Sequence, residues 1–271
     1  MSKRTRQVSV GGVLVGGGER VKVQSMTTTK TSDVEGTVRQ IGALEEAGCE
    51  IVRVAVSDEA DAAAVRAVKE RIRLPLVADI HFSPKLAAAA IENGADKVRI
   101  NPGNIGGEKE IKYVADCIRA HGIPVRVGSN TGSIEANFLK KYGRSAEALV
   151  ESALYNVGVL EKFGVTDIVI SVKASSVPLT VRAYTLLSER TDYPLHVGVT
   201  EAGTTEAGIV KSAVGIGALL LNGIGDTVRV SLTDDPVREV YAAKHILRAC
   251  GLEERYVEVV SCPTCGRCAW E

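Results

Sequence analysis

The sequence predicts an α/β fold, a (β/α)8 TIM barrel with an N-terminal hairpin, and three observations carry that prediction. Strand-like runs begin near Val21, Glu50, Leu76, Lys97, Pro124, Asp167, Pro194 and Asp226. A helical apolar pattern follows each of them, over 34–47, 59–71, 84–93, 108–121, 146–163, 178–190, 207–221 and 236–250. Glycines stand where several of those helices should stop, at Gly48, Gly94, Gly122, Gly164, Gly223 and Gly251. Eight near-regular units without a break fit a closed barrel. A doubly wound open sheet is the competing arrangement, because strand order is not written in a sequence.

Ahead of the first unit, Val8 to Val15 alternates and then meets Gly16-Gly17-Gly18, which predicts a hairpin with Val21 to Met26. The fourth unit is the clearest, Lys97 to Gly107, KVRINPGNIGG. Val98 and Ile100 alternate with Arg99 and Asn101, a Pro-Gly turn and a glycine-rich loop follow, and the next helix begins near Glu108. One connection is long, Ser129 to Arg144 (SNTGSIEANFLKKYGR), and it lies on the strand-end side, where long loops are either functional or plain surface excursions. After the eighth helix a ninth strand-like run, Arg255 to Val260, leads into SCPTCGRCAWE. The chain therefore divides into a barrel over 1–254 and the incomplete beginning of a second module over 255–271.

Composition narrows the class. The chain has 271 residues, 45% apolar and 24% charged, with 33 basic residues against 33 acidic ones. That balance argues against nucleic acid as a partner. No apolar run is long enough for a membrane span, and the basic N-terminus lacks the apolar core of a secretion signal. Six cysteines, three of them packed into 262–268, suit metal ligation in a reducing cytoplasm better than a disulfide scaffold.

Barrels carry their chemistry at the carboxyl ends of the strands. Those ends read Gln24 and Ser25; Arg53; Asp79 and His81; Arg99 and Asn101; Arg126 and Asn130; Ser171 and Lys173; Thr200 and Glu201; Arg229, Ser231 and Thr233. Alternation turns the arginines inward, opposite the aliphatics that pack on the helices. Each alone could be a satisfied internal salt bridge. Five cations (Arg53, Arg99, Arg126, Lys173 and Arg229) against two acids (Asp79 and Glu201) in one funnel call for a further anion, and arginine forks suit phosphate oxygens. A phosphorylated or diphosphorylated small molecule is the substrate class this predicts. His81 fits a proton donor, a phosphate contact or a loop histidine; His196, early in its strand, fits core packing equally well. Glu201 stands where a general acid would, or caps the next helix. Lys173 on the sixth strand also fits a Schiff-base lysine.

Cys262 and Cys265 form a C-x2-C knuckle, and Cys268 follows two residues on. Alone this pattern reads as half a zinc ribbon; C-x2-C-x2-C raises the iron–sulfur reading, but a fourth ligand is not evident. Cys49, Cys117 and Cys250 fall in helical regions as bystanders.

Taken together, VQSMTTTKTSD, IVRVAV, LVADIHF, KVRINPGNIG, PVRVGSNTGS, VISVKAS, HVGVTEAG, DTVRVSLTDDP and CPTCGR resemble, in order, the 4-hydroxy-3-methylbut-2-enyl diphosphate synthase family of the methylerythritol phosphate route to isoprenoids. The resemblance implies a barrel followed by a smaller domain carrying a [4Fe–4S] cluster. It implies reductive opening of 2-C-methyl-D-erythritol 2,4-cyclodiphosphate with loss of a hydroxyl as water, the electrons coming from flavodoxin or ferredoxin. By position, Arg53, His81, Arg99, Asn101, Arg126, Asn130, Lys173, Arg229 and Ser231 match the diphosphate-binding set, and Glu201 the acidic residue beside the reacting carbons. Cys262 and Cys265 match the first two cluster ligands. The family takes a third cysteine and a glutamate ligand from a segment beyond residue 271, so this chain is expected to bind substrate and turn it over poorly. The family's cluster domain closes on the barrel of another subunit, which implies a homodimer.

Two readings from other classes compete: a Schiff-base lyase built on Lys173 with a zinc knuckle at its tail, and a non-catalytic barrel that binds a phosphometabolite.

Overall fold

A computed structural model describes residues 4–253, 256–258 and 260–262. An antiparallel hairpin, β1 (Gln7–Val10) and β2 (Val13–Gly16), precedes eight parallel strands. These are β3 (Lys22–Met26), β4 (Ile51–Val56), β5 (Leu76–Ile80), β6 (Lys97–Ile100), β7 (Val125–Asn130), β8 (Ile168–Lys173), β9 (His196–Val197) and β10 (Thr227–Val228). The order β8-β7-β6-β5-β4-β3-β10-β9 is completed by a parallel bridge from Ile170 to Leu195, which joins β8 to the residue before β9. The ring closes, so the open-sheet arrangement is excluded.

The helices are α1 (Val34–Ala47), α2 (Glu59–Lys69), α3 (Pro84–Glu92), α4 (Pro102–Ile105), α5 (Glu108–His121), α6 (Ala136–Tyr142), α7 (Ala146–Lys162), α8 (Val177–Arg190), α9 (Thr205–Leu221) and α10 (Pro236–Ala249). Their starts are chemically marked. Asp33, Asp58, Ser83, Ser145, Ser176 and Asp235 each accept a hydrogen bond from a backbone N–H of the first turn. Gly48, Gly94, Gly122, Gly164, Gly223 and Gly251 all have positive φ, between 62° and 98°, as helix-ending glycines should. The short α4 and α6 lie in the glycine-rich loop after β6 and in the long 129–144 connection, both of which sequence alone leaves irregular.

Two expectations are corrected. The hairpin does not pair with the first barrel strand: β1 pairs with β2, Val10 opposite Val13. Gly11 and Gly12, with φ of 53° and 89°, supply the two left-handed residues that a two-residue hairpin turn needs, so the chain reverses there and not at Gly16-Gly17-Gly18. Of the ninth strand expected over Arg255 to Val260, Tyr256, Val257, Glu258 and Val260 are described and lie in no strand; Arg255 and Val259 fall outside the described residues. Val257 and Val260 are exposed, and a strand with no edge to join has nothing to hold it.

The barrel has two cores. Outward-facing aliphatics such as Val52, Val54, Val98, Ile100, Val125 and Val127 pack with the helices in one large cluster. A small second cluster joins Val10 and Val15 of the hairpin to Ile51 and Val77, next to Val13, and plugs the amino-terminal end of the barrel. Thr5 Oγ1 donates to Asp226 Oδ1 at 2.7 Å and the Arg6 N–H to the Asp192 carbonyl at 2.7 Å, tying the hairpin to that end. No helix among the described residues is long and apolar enough to cross a membrane.

Candidate active site

The site lies at the opposite, carboxyl-terminal end, and its centre is Asp79 on β5. Register sets Asp79 beside Arg99 of β6, and Arg99 beside Arg126 of β7. Asp79 Oδ1 accepts from Arg99 Nη1 at 3.2 Å, and Oδ2 lies 3.7 Å from Arg53 Nε. His81 Nε2 stands 2.9 Å from Arg99 Nη1 and 3.6 Å from Asp79 Oδ2. Arginine can only donate, so a neutral His81 accepts from Arg99, and a protonated one faces the carboxylate. Burial alone would raise the Asp79 carboxyl; Arg53, His81, Arg99 and Arg126 outweigh it and hold the group well below the usual carboxylate range. It is an anion that organises cations.

A second acid serves the other side of the mouth. Glu239, buried in the first turn of α10, accepts from Arg229 Nε and Nη2 at 3.3 Å, from the Leu232 N–H at 2.9 Å and from Ser25 Oγ at 3.4 Å. Arg53 donates to Met26 Sδ from Nε at 3.0 Å and Nη2 at 2.8 Å, and Arg229 Nη1 reaches the same sulfur at 3.8 Å. Burial, with Arg229 and Arg99 nearby, pushes the Arg53 guanidinium down to about 10 despite the pull of Asp79. Arg126 and Lys173 are likewise held well below their ordinary values, by burial first and by neighbouring arginines second. Arg99 Nε and Arg126 Nε and Nη1 have no hydrogen-bond partner among the described residues. Buried donors of this kind want acceptors, and a polyanion supplies them.

Two glycines make the room. A Cβ on Gly128 would stand 2.8 Å from Arg99 Nε, and one on Gly198 would meet Lys173 Nζ at 2.9 Å and the Arg229 carbonyl closer still. Asn101 spends its amide on local structure: Oδ1 caps α4 at the Gly103 N–H (3.2 Å), and Nδ2 donates to the Ser133 carbonyl at 3.4 Å. Asn130 ends β7 in register with Lys173. Ser231 follows Arg229 at the end of the β10 run and is half-buried. Glu201 is exposed on the rim with φ of +51°, and Phe82, beside His81, has φ of +66°; these are the two non-glycine residues with positive φ among the described residues. His196 is fully buried inside the barrel, Nδ1 2.8 Å from Thr227 Oγ1, so it is a core residue.

Sequence reasoning paired the arginines with Asp79 and Glu201; the acid that meets Arg229 is Glu239. The signal was present, since Glu239 sits in the buried stripe Pro236, Glu239, Val240, Ala243, Ile246 and Leu247, where an acid needs a partner. Met26 carried no such signal.

Among the described residues no group of three or more His, Cys, Asp or Glu is placed to hold a metal ion. Cys262 is exposed, and Cys265 lies outside the described residues. The described donors do not by themselves make a cluster site.

A closed barrel whose strand ends converge several cations on two buried acids is a polyanion-binding (β/α)8 protein. The profile of the GcpE TIM-barrel domain matches residues 5–244. The 4-hydroxy-3-methylbut-2-en-1-yl diphosphate synthase (flavodoxin) of Caldanaerobacter subterraneus subsp. tengcongensis is 59% identical over 268 residues, 98% of this chain and 76% of that protein. The protein of the same name from Geobacillus thermodenitrificans is 54% identical over 97% of this chain and 71% of its own length. The chain belongs to the GcpE family, that of the 4-hydroxy-3-methylbut-2-en-1-yl diphosphate synthases. Among solved structures, a dihydropteroate synthase from Stenotrophomonas maltophilia superposes with a TM-score of 0.63 at 16% identity, over 90% of this chain and 98% of that one. An N-acetylneuraminic acid synthetase from Leptospira borgpetersenii gives 0.63 at 13%, over 94% and 93%. These two share the fold alone.

Proposed function

We infer that the chain serves the reaction of its family, reductive opening of 2-C-methyl-D-erythritol 2,4-cyclodiphosphate to 4-hydroxy-3-methylbut-2-enyl diphosphate in isoprenoid biosynthesis. The substrate dianion takes up two electrons and one proton, loses one water, and leaves as a trianion. The observation that carries the reading is the set of Arg53, Arg99, Arg126 and Arg229, all buried or nearly so, spread around Asp79 and Glu239 with guanidinium donors left over. Such donors bind the diphosphate, and they stabilise the extra charge that ring opening puts on it.

In this reading Arg53, Arg99, Arg126, Lys173, Arg229, Asn101, Asn130 and Ser231 line the diphosphate site. His81 relays charge between ligand and Asp79, and Glu201 on the rim delivers the proton. Residues 255–271 open the domain that carries a [4Fe–4S] cluster, with Cys262 and Cys265 as two of its thiolates. Flavodoxin is the electron donor that the relatives' name supports, the chain acts in the cytoplasm, and a homodimer is the working assembly.

Titration calorimetry with the cyclodiphosphate tests the barrel directly. Saturable binding is expected, weakened at least about tenfold in Arg229→Ala, since charge-assisted hydrogen bonds contribute roughly 1.5–3 kcal/mol. A folded chain that shows no binding would overturn the assignment.

A further inference from the structure

Below the mouth, the interior of this barrel is polar where barrels of this type usually stack aliphatic side chains. Gln24 of β3, Lys97 of β6 and His196 of β9 point inward there and are buried, beneath the equally buried Arg126 of β7, which is level with Arg99. Each has at least one polar atom with no hydrogen-bond partner among the described residues: Gln24 Oε1 and Nε2, Lys97 Nζ, Arg126 Nε and Nη1, His196 Nε2. Lys97 is the extreme case. Its side chain is 0% exposed, two residues before Arg99 on the same face of β6, one layer deeper than the site.

An ammonium cannot be left in such a place without a partner; it either finds an anion or gives up its proton. The charged groups that face Lys97 are Arg53 from β4 and Arg126 from β7, both of its own sign, with His196 from β9 close enough to feel it. The acids of the mouth are committed elsewhere, Asp79 to Arg53 and Arg99, and Glu239 to Arg229. Burial first, and Arg126 and Arg53 second, push the Lys97 amine down to about 7.

We propose that Lys97 is a positioning residue of the diphosphate site: above neutral pH its amine is mostly uncharged while the mouth is empty, and it takes up a proton when a diphosphate seats above it. This rests on the diphosphate reading. The bound anion supplies the negative charge that the empty interior lacks, and the new ammonium then holds Arg126 forward, against the ligand, by repulsion from below. Ring opening raises the ligand's charge from two to three, so the charged amine favours product-like states over substrate.

The cyclodiphosphate is a good probe, because both its acidic oxygens are fully ionised near neutrality and any proton taken up belongs to the protein. Calorimetric titration at pH 8 in two buffers of different ionisation enthalpy, HEPES and Tris, counts those protons. Wild-type protein is expected to take up more protons on binding than Lys97→Met, the difference being most of one proton. Equal uptake in the two proteins would overturn the proposal. Should the variant fail to fold, the 13Cε shift of Lys97 in lysine-labelled wild-type protein decides: a neutral amine at pH 8 that becomes charged with ligand supports the proposal, and an unchanged state refutes it. Absence of any binding heat in the wild type is a different result, and sinks the diphosphate reading itself.

Discussion

The two ends of this barrel solve opposite problems with the same strands. At the amino-terminal end, Val10 and Val15 of the hairpin close on Ile51 and Val77, an apolar plug that keeps water out of the interior. At the carboxyl-terminal end, two residues further along β4 and β5, the inward positions are Arg53 and Asp79, members of an ion cluster left short of anions. A shift of two residues along a strand keeps the face and changes the chemistry, so stability and function can be set independently. The plug contributes burial; the mouth stores unpaired donors that only a ligand completes.

That division is most severely tested at Asp79. Asp79→Asn removes the charge that Arg53, Arg99 and His81 share and leaves buried cations unpaired, which typically costs about 3–5 kcal/mol. Urea unfolding at neutral pH should show a loss of that order. Because the native carboxyl is held below its ordinary value, the stabilisation is fully present above roughly pH 4, its unfolded range, and is lost as pH falls through the lower native value. The gap between wild type and variant should therefore narrow on acidification. A variant as stable as wild type at pH 7 would mean the mouth is not organised around this acid.

The plug gives the converse. Val10→Ala and Val15→Ala remove buried methyls from the small cluster at the closed end, and each should cost about 1–3 kcal/mol. Affinity for the cyclodiphosphate, measured under conditions where the variants stay folded, should not change. If it fell with stability, the two ends would be coupled through the interior layer of Gln24, Lys97 and His196, and the division would fail.

How much of this was legible follows from which interactions are local. Helix limits were readable because capping is local chemistry: Asp33 and Gly48 bracket α1, and Glu108 and Gly122 mark α5, with no help from the rest of the fold. The inward set was readable from strand alternation, which turns Arg99 in and Val98 out. Three features were not. The hairpin's own pairing lost out to a longer run of glycines at 16–18, although Gly11-Gly12 between valines is the stronger turn. Glu239 showed itself as an acid in a buried stripe, but its pairing with Arg229, just past β10, did not, because helix periodicity does not say what a buried acid faces. The isolation of Lys97 was invisible because it depends on Arg53, Arg126 and His196, from three other strands.

The smallest expected effect concerns the rim, where Phe82 follows β5. Its φ of +66° is costly for a bulky side chain, and the Ser83 N–H donates to the His81 carbonyl across it at 2.9 Å, the pattern of a tight three-residue turn. The ring is 68% exposed, so little packing compensates for the strain. That turn lets His81 lean back over Asp79 and Arg99 while Ser83 caps α3. Phe82→Gly removes the steric cost at that φ, and stability should rise by about 0.5–1 kcal/mol. Glycine permits the turn without enforcing it, so His81 should lose its fixed position, and affinity for the cyclodiphosphate should fall severalfold. Thermal unfolding and calorimetry on the one variant read both effects. A gain in stability with unchanged affinity would place the strain outside the function of the mouth; a gain accompanied by weaker binding would show that the mouth keeps a strained turn because the turn aims a histidine.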